Sequence, residues 1–203
     1  MGASRKQERW ADHFTRKARQ GRYPARSVYK LKELQQKYHL IRPGQRVLDL
    51  GCAPGAWLLY AAQLVGPRGF VAGVDLKAVE IALPAQARAY QGDIFDGQAP
   101  FWLHLDAPFD VVISDMAPST TGNKHTDAAR STGLCETALY VAQHHLATGG
   151  HWACKIFQGA DFSRFRDEVR RCFKRHSIFK PRSSRKASKE IYIIGLEHIK
   201  GAT

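Results

Sequence analysis

Acidic side chains follow several short apolar segments of the sequence, and a lysine lies inside another. Asp75, Asp93 and Asp115 each end such a segment, residues 49–55 follow the first one, and Lys155 lies within CKIF. Carboxylates can accept hydrogen bonds from hydroxyl and amino groups, and a lysine can hold negative charge or, once neutral, remove a proton. One Asp in such a place can equally be a helix cap or a turn residue. Five positions of this kind predict a ligand site.

A glycine-rich stretch, LDLGCAPGAW, contains the first of these positions, residues 49–55. Gly51 and Gly55 lack the G-x-G-x-x-G spacing that brings a dinucleotide pyrophosphate to a helix N-terminus, and Pro54 has no N–H to donate. The pattern suits a nucleoside ligand without phosphates. The glycines would let the backbone pass close to it, and Asp75 would accept hydrogen bonds from ribose hydroxyls. S-adenosylmethionine is such a ligand.

The hydrophobic pattern alternates between helical and strand periodicity along the chain. It predicts the helices and strands that hold these residues. Residues 27–38 read as a helix with Ser27 as its N-cap, and further helices are predicted after the glycine loop and near 127–147 and 161–175. Strands are predicted at 46–50, 70–75, 87–93, 110–115, 151–157, 177–181 and 190–197.

This alternation predicts an α/β fold with a mostly parallel sheet covered by helices on both faces. No helix separates the last two strands, which predicts an antiparallel edge. Ligands bind at the carboxyl ends of strands in such sheets, where the acidic positions fall. Residues 116–126 read as a functional loop rather than a linker.

Length and composition predict one folded unit. The chain has 203 residues, 44% of them hydrophobic, which suits a single domain over residues 1–203 with a basic N-terminal arm and helix at about 1–45. No apolar run approaches the roughly 20 residues that span a bilayer, and the first ten residues do not resemble a secretory signal. We therefore expect a protein that does not engage membranes. We further expect it to be cytoplasmic and a monomer.

The cysteines and histidines do not predict a metal site. The four cysteines include no Cys-x-x-Cys pair, and the histidines near Cys154 do not match a zinc signature. A disulfide framework is equally improbable, and no metal is expected. Cys52, in the glycine loop, is expected to pack rather than react, since no histidine lies near it in sequence.

The net charge of +13 is concentrated at the two ends of the chain. Residues 1–46 carry 13 basic and 3 acidic side chains, residues 164–203 carry 12 and 4, and the middle carries 6 and 11. Basic segments of this kind can contact the phosphates of a polyanion. The simpler alternative is that the charges only keep the surface solvated. Charge alone does not separate RNA, DNA and anionic lipid as the polyanion, and lipid is the weakest of the three because the flanks show no long basic amphipathic helix. The basic residues predicted to contact a polyanion are Arg5, Lys6, Arg9, Arg16, Lys17, Arg19, Arg22, Arg26, Arg182, Arg185, Lys186 and Lys189. Trp10, Phe14 and Tyr23 are candidates for stacking on unpaired bases.

Four sequence blocks give a specific resemblance. They are SVYKLKEL, LDLGCAPGAW, ISDMAPSTTG, and CKIFQG together with PRSSRKASKEIYI. In these blocks the chain resembles the FtsJ/RrmJ family of S-adenosylmethionine-dependent RNA 2′-O-ribose methyltransferases. The resemblance implies the Rossmann-like methyltransferase fold and a Lys-Asp-Lys-Glu tetrad that transfers a methyl group to a ribose 2′-hydroxyl. The matching positions are Lys30, Asp115, Lys155 and Glu190.

The resemblance also implies the residues that contact the methyl donor. They are Gly55, Trp57, Asp75, Asp93 and Asp115, with Asp93 on the adenine amino group and Asp75 on the ribose. S-adenosylhomocysteine would be the product. Ala56 departs from the family pattern, which often has glycine there, and it requires an ordinary backbone conformation.

The role of Lys155 stays open between two hypotheses. An ordinary lysine has a pKa of about 10.4, so near pH 7.5 only about one molecule in a thousand is neutral and able to act as a base. In the first hypothesis Lys155 is the general base, Asp115 and Glu190 orient the two lysines, and Lys30 steadies the developing alkoxide. In the second, Lys155 stays charged as a stabiliser and the proton is lost to water.

The resemblance implies a uridine in 23S (large-subunit) ribosomal RNA as substrate, either free or in the assembling subunit. A tRNA 2′-O-ribose methyltransferase is the near alternative. A catalytically silent RNA-binding module of the same fold is the alternative from another class, and the four tetrad residues argue against it. A dinucleotide-dependent oxidoreductase is disfavoured by the glycine spacing.

Overall fold

A seven-stranded sheet organises the chain in a computed structural model that describes residues 14–105, 108–184, 188–199 and 201. Its strands are β1 (Arg46–Leu50), β2 (Phe70–Asp75), β3 (Ala87–Gln91), β4 (Phe109–Ser114), β5 (Leu146–Phe157), β6 (Phe173–Phe179) and β7 (Glu190–His198). The helices are α1 (Val28–Tyr38), α2 (Ala56–Val65), α3 (Lys124–His145) and α4 (Phe162–Cys172). Residues 14–20 are also helical, and Pro100–His104 form a short 3₁₀-helix.

The strand order is β3-β2-β1-β4-β5-β7-β6, and the pairs from β3 through to β5 are parallel. β7 pairs antiparallel with both β5 and β6, so the predicted mostly parallel sheet with an antiparallel edge is confirmed. The direction of strand addition reverses between β1 and β4. A crevice for ligands forms at such a reversal, outside the carboxyl ends of the strands.

Side-chain alternation along the strands decides which residues can meet. On β5, Ala153 packs in the core beneath α1 and α2, whereas Trp152 and Cys154 pack on the other face beneath α3 and α4. Successive side chains of a strand point to opposite faces, so Lys155 faces the α1 side. The same alternation on β7 places Glu190 on that side, because Tyr192 packs there.

Element boundaries differ most from the predicted ones at the starts of β5 and β6. The strand predicted at 151–157 begins at Leu146, which pairs with Phe109 before a register shift brings His151 opposite Val111. The strand predicted at 177–181 begins at Phe173, within the stretch predicted to be helical to residue 175. Phe173 is buried and pairs with β7, and this tertiary pairing overrides the local helical preference of its basic neighbours.

Within the described ranges, no helix is both long and apolar enough to cross a bilayer. The assignment of residues 1–203 to one domain stays a prediction.

Candidate active site

Four side chains from separate parts of the chain meet at the carboxyl edge of the sheet. The Lys30 Nζ atom lies 2.9 Å from Glu190 Oε1 and 3.4 Å from Asp115 Oδ1. The Lys155 Nζ atom lies 3.0 Å from Asp115 Oδ1 and also donates to the Asp115 backbone carbonyl. The structure thus brings together all four residues predicted as the tetrad, in an alternating array of positive and negative charges.

Strand register explains why these residues converge. Ser114 pairs with Cys154, so Asp115 leaves β4 beside Lys155. Phe157 pairs with Glu190, two positions beyond Lys155 on the neighbouring strand. α1 covers this face through Leu31 and Leu34, which are fully buried, and the packing brings Lys30 over the strand ends.

Burial and neighbouring charges shift the acid–base equilibria of two of these groups. Burial acts to lower the pKa of Lys30, but Asp115 and Glu190 attract its charge more strongly, so the pKa is raised. Burial acts to raise the pKa of Asp115, but Lys155 and Lys30 outweigh it, so this pKa is lowered. Both shifts keep the groups ionised at neutral pH, Lys30 as an ammonium and Asp115 as a carboxylate.

Three residues outside the predicted tetrad support it. The Tyr192 hydroxyl donates to Asp115 Oδ1 at 2.5 Å, and the Ser184 hydroxyl donates to Glu190 Oε1 at 2.7 Å. Glu33, one turn beyond Lys30 on α1, accepts backbone N–H bonds from residues 182 and 183 at 2.7 and 2.8 Å. It therefore holds the segment that carries Ser184 against the helix.

A cavity of about 890 Å³ opens beside Asp115, within the size range of small-molecule sites. Four carboxylates and one lysine are among the described residues that line it, so its wall is acidic. The charged lining residues are Asp75, Lys77, Glu80, Asp93 and Asp115. Leu76 and Phe95, also in the lining, expose 67% and 60% of their surface.

Asp75 and Asp93 both hold backbone turns at the cavity while keeping acceptor capacity. The two Asp75 oxygens accept the N–H groups of Ala53 and Lys77 at 2.9 and 2.8 Å. Asp93 Oδ1 accepts the N–H of Phe95 at 2.9 Å. Each carboxylate oxygen has two lone-pair sites, so further hydrogen bonds to a ligand are possible at both residues.

The glycine loop contributes to the cavity wall through Gly51, Ala53 and Pro54, but not through every residue predicted to contact the donor. Gly51 lines the cavity with φ +80°, and a Cβ atom there would lie 2.4 Å from Met116 Cγ. Gly55 and Trp57 are not among the described residues of the lining. The Trp57 ring stacks on Tyr192 at 5.9 Å between centroids, and its Nε1 donates to the Ser27 carbonyl at 2.9 Å.

The remaining local expectations have mixed outcomes. Ser27 precedes α1, but its side chain makes no capping hydrogen bond. Ala56 begins α2 in an ordinary helical conformation, as predicted. Cys52 is buried, and burial raises the pKa of its thiol, which agrees with a packing role.

The predicted RNA-contacting segments are only partly described. Arg5, Lys6, Arg9, Trp10, Arg185 and Lys186 lie outside the described residues. The stacking role predicted for Tyr23 is wrong, because this ring is 7% exposed and its hydroxyl donates to Gln63 at 2.6 Å.

Asp49 on β1 is a buried acid for which the sequence predicts no individual role. It is 0% exposed, and neither carboxylate oxygen has a hydrogen-bond partner among the described residues. Burial raises its pKa well above the ordinary value, and the nearby charges of Asp115 and Asp75 raise it further. Near pH 7 an aspartate in this setting is either charged without a partner or protonated well above its ordinary pKa. Either state makes the fold less stable than a side chain that cannot ionise would.

Replacing Asp49 with asparagine is therefore expected to stabilise the fold near pH 7 by more than about 1 kcal/mol. The folded chain binds the Asp49 proton more tightly than the unfolded chain does. The free energy of unfolding consequently falls as pH rises from the unfolded pKa towards the raised folded one. Urea denaturation across this range should show a gap between variant and native chain that is small near pH 4 and widens above it. Exposed Asp96→Asn serves as the control, and a gap independent of pH would contradict the argument.

Comparison with known proteins reveals extensive similarity. A family model described as FtsJ-like methyltransferase matches residues 23–198, a range that includes all four predicted tetrad residues. A protein of Desulforapulum autotrophicum named ribosomal RNA large subunit methyltransferase E is 57% identical over 191 residues, which is 94% of each chain. A protein of the same name from Desulfatibacillum aliphaticivorans is 51% identical over 92% of this chain and 90% of its own.

Solved structures share the fold at lower sequence identity. A crystal structure described as a ribosomal RNA methyltransferase from Plasmodium falciparum superposes with a TM-score of 0.78 at 24% identity. That match covers 88% of this chain and 100% of the other. At this identity the likeness supports the arrangement of the sheet and helices and nothing finer.

Proposed function

The chain belongs to the FtsJ-like methyltransferase family, and on that premise we propose that it methylates the 2′-hydroxyl of a ribose in large-subunit ribosomal RNA. S-adenosylmethionine is the proposed methyl donor, and a uridine of 23S RNA is the proposed target. The observation that carries the proposal is the convergence of Lys30, Asp115, Lys155 and Glu190 beside an acidic cavity.

The cavity fits this donor in charge and in hydrogen bonding. S-adenosylmethionine carries a positive sulfonium and a positive amino group, and the part of the lining that the structure describes has four carboxylates against one lysine. Asp75 is proposed to hold the ribose hydroxyls and Asp93 the adenine amino group. The exposed apolar surfaces of Leu76 and Phe95 suit the faces of a planar base. Gly55 and Trp57 stay predicted donor contacts, although neither is among the described residues that line the cavity.

When bound, the donor supplies a methyl carbon on a positively charged sulfur, which becomes a neutral thioether as the carbon is transferred. The residues of the chain must therefore position the ribose oxygen and handle its proton and charge. Lys30, whose pKa is raised, is proposed to remain an ammonium and to donate to the developing alkoxide. Asp115 and Glu190 are proposed to orient the two lysines.

Lys155 has one bonding direction left for the substrate in either protonation state. Its two contacts go to the carboxylate and the carbonyl of Asp115. An ammonium has three N–H donors, so one would remain for the ribose oxygen. A neutral amine has two N–H donors and a lone pair, so the lone pair would remain to accept the proton. Both hypotheses for Lys155 thus agree with the geometry and differ in their pH dependence.

The proposal extends to the setting in which the protein acts. All four proposed catalytic side chains come from one chain, so a monomer would suffice. The two relatives at 57% and 51% identity come from bacteria, whose ribosomes are assembled in the cytoplasm, and we propose the same location here.

The function is tested by offering S-adenosylmethionine with a labelled methyl group to undermethylated large ribosomal subunits and, separately, to unmodified tRNA. Label is expected in large-subunit RNA, at one position that resists alkaline cleavage, because a 2′-O-methyl group removes the attacking hydroxyl. Lys155→Met is the inactive control. Label on tRNA alone would overturn the substrate proposed, and label on neither RNA would favour a silent RNA-binding module.

A further inference from the structure

A second cavity, of about 920 Å³, lies along α1 and is distinct from the acidic one. Its described lining comes from residues 14–21, from α1, and from Phe179 and Arg182. We call this cavity the α1 groove. The described residues that line it include Lys17, Tyr29, Lys32, Glu33, Lys37, Phe179 and Arg182.

The α1 groove adjoins the proposed catalytic site. Lys30, Glu33 and Lys37 form one stripe along α1, because residues three and four apart share a helix face. At 1.5 Å per residue, Lys37 lies roughly 10 Å further along the helix axis than Lys30. β6 runs parallel to β5, since both are antiparallel to β7, so Phe179 ends β6 at the edge of the sheet where the tetrad lies.

One hydrogen-bonded chain connects the groove wall to the tetrad. Glu33 accepts the backbone N–H groups of Arg182 and Ser183, and the next residue, Ser184, donates to Glu190. The lining of the groove and the orientation of Glu190 therefore depend on the same short segment. A ligand in the groove would lie beside the groups proposed to receive the ribose.

The two cavities carry opposite charge. Among the described residues, the α1 groove has four cationic side chains against Glu33, and that carboxylate already accepts two backbone N–H bonds. The described lining of the cavity beside Asp115 has four carboxylates against one lysine. A cationic small molecule suits the acidic cavity, and a polyanion suits the groove. Asp115 of the tetrad lines the acidic cavity, and Lys30 lies on the helix that lines the groove.

The α1 groove also presents aromatic surface together with its cations. The Lys37 ammonium lies 4.8 Å from the centre of the Phe179 ring, and that of Lys17 lies 5.3 Å from the Tyr29 ring. Cation–π contacts at exposed sites are weak, about 0.5–1 kcal/mol, so such a lysine can turn towards a phosphate at little cost. Cations that track a backbone beside aromatic rings are the combination found in single-strand-binding grooves.

We propose that the α1 groove binds a single-stranded segment of the RNA substrate next to the methylated nucleotide, with Lys37 and Arg182 on phosphates and Phe179 against a base. This inference rests on the proposed function and assigns it a substrate-binding surface. An unpaired strand is specified because only unpaired bases expose their faces to an aromatic ring. The contacts are sequence-independent, so they position the RNA and leave the choice of nucleotide to other features.

The test measures binding of a fluorescein-labelled uridine oligonucleotide of about 12 nucleotides to the full chain by anisotropy, from about 50 to 200 mM salt. Lys37→Gln should weaken binding and reduce the slope of log Kd against log salt by about 0.7, the value for one phosphate contact on a single strand. Phe179→Leu should weaken binding about fivefold or more, and Phe179→Trp should retain it. On ribosomal subunits the first two variants should raise KM more than they lower kcat.

Arg68→Gln is the matched control, since it also removes one exposed positive charge but lies before β2 at the opposite edge of the sheet. Thermal unfolding of each variant separates lost binding from lost folding. Wild-type affinity and salt slope in Lys37→Gln and Phe179→Leu would overturn the proposal, as would a preference for duplex RNA of equal length. Oligonucleotide binding with the expected dependences but no methylation of ribosomal RNA would reject the proposed function and leave the groove standing. Methylation with wild-type KM in both variants would reject the groove and leave the proposed function standing.

Discussion

Replacing Lys155 with methionine is expected to lower the single-turnover rate of methyl transfer by at least about 10³-fold, while binding of the methyl donor changes little. Lys155 is 5% exposed, and its amino group is fixed by the carboxylate and the carbonyl of Asp115. Methionine keeps the length and most of the packing but can neither take a proton nor stabilise a negative charge. Lys155 is not among the described residues that line the acidic cavity, so calorimetric titration with S-adenosylmethionine should give a Kd close to that of the native chain.

The pH dependence of this rate distinguishes the two roles of Lys155. If Lys155 is the base, the native rate should rise with pH as the neutral amine becomes more common, and the residual rate of Lys155→Met should lack that rise. Lys155→Arg provides a second discrimination, because arginine stays protonated and can stabilise charge without acting as a base. A basic-side dependence that survives unchanged in Lys155→Met would exclude the base role. Substantial activity in Lys155→Arg would then support the charged stabiliser.

The sequence predicts part of this site because of simple periodic rules. An acid after a short apolar run indicates the carboxyl end of a parallel strand, which explains the correct placement of Asp75, Asp93 and Asp115 at one edge. Tyr192 could have been found by the same reasoning. It lies two residues after Glu190 on a strand and must therefore share its face.

Other members of the site depend on packing that periodicity does not describe. α1 precedes the sheet in sequence, and its helical pattern does not determine where it crosses the strand ends, so only the family resemblance identified Lys30. Glu33 and Ser184 act through the path of residues 182–184, a segment without regular structure. Trp57 was also identified only by the family resemblance, and its donor contact stays a prediction, whereas the stacking of its ring on Tyr192 depends on packing that the sequence pattern does not describe.

Replacing Asp115 with asparagine is expected to abolish measurable methyl transfer and also to destabilise the fold by about 3 kcal/mol. Asp115 Oδ1 is shared by Lys30, Lys155 and Tyr192. Without this carboxylate, Lys155 keeps a backbone carbonyl but has no opposite charge in contact, and an uncompensated buried charge is costly. Lys155→Met should destabilise the fold less, because Asp115 would keep both Lys30 and Tyr192. Urea denaturation of both variants at pH 7 measures the difference.

The double variant provides the decisive comparison. Removing Lys155 as well removes the unpaired charge, so Lys155→Met in the Asp115→Asn background should raise the free energy of unfolding above that of Asp115→Asn alone. The pH dependence must also agree. Because the folded pKa of Asp115 is lowered, its stabilising contribution is complete above the ordinary aspartate pKa of about 3.9 and is lost as pH falls through the folded value. The gap between native chain and Asp115→Asn should therefore persist at pH 7 and shrink below about pH 4. A double variant less stable than Asp115→Asn would show that the lysine is held by something other than this carboxylate.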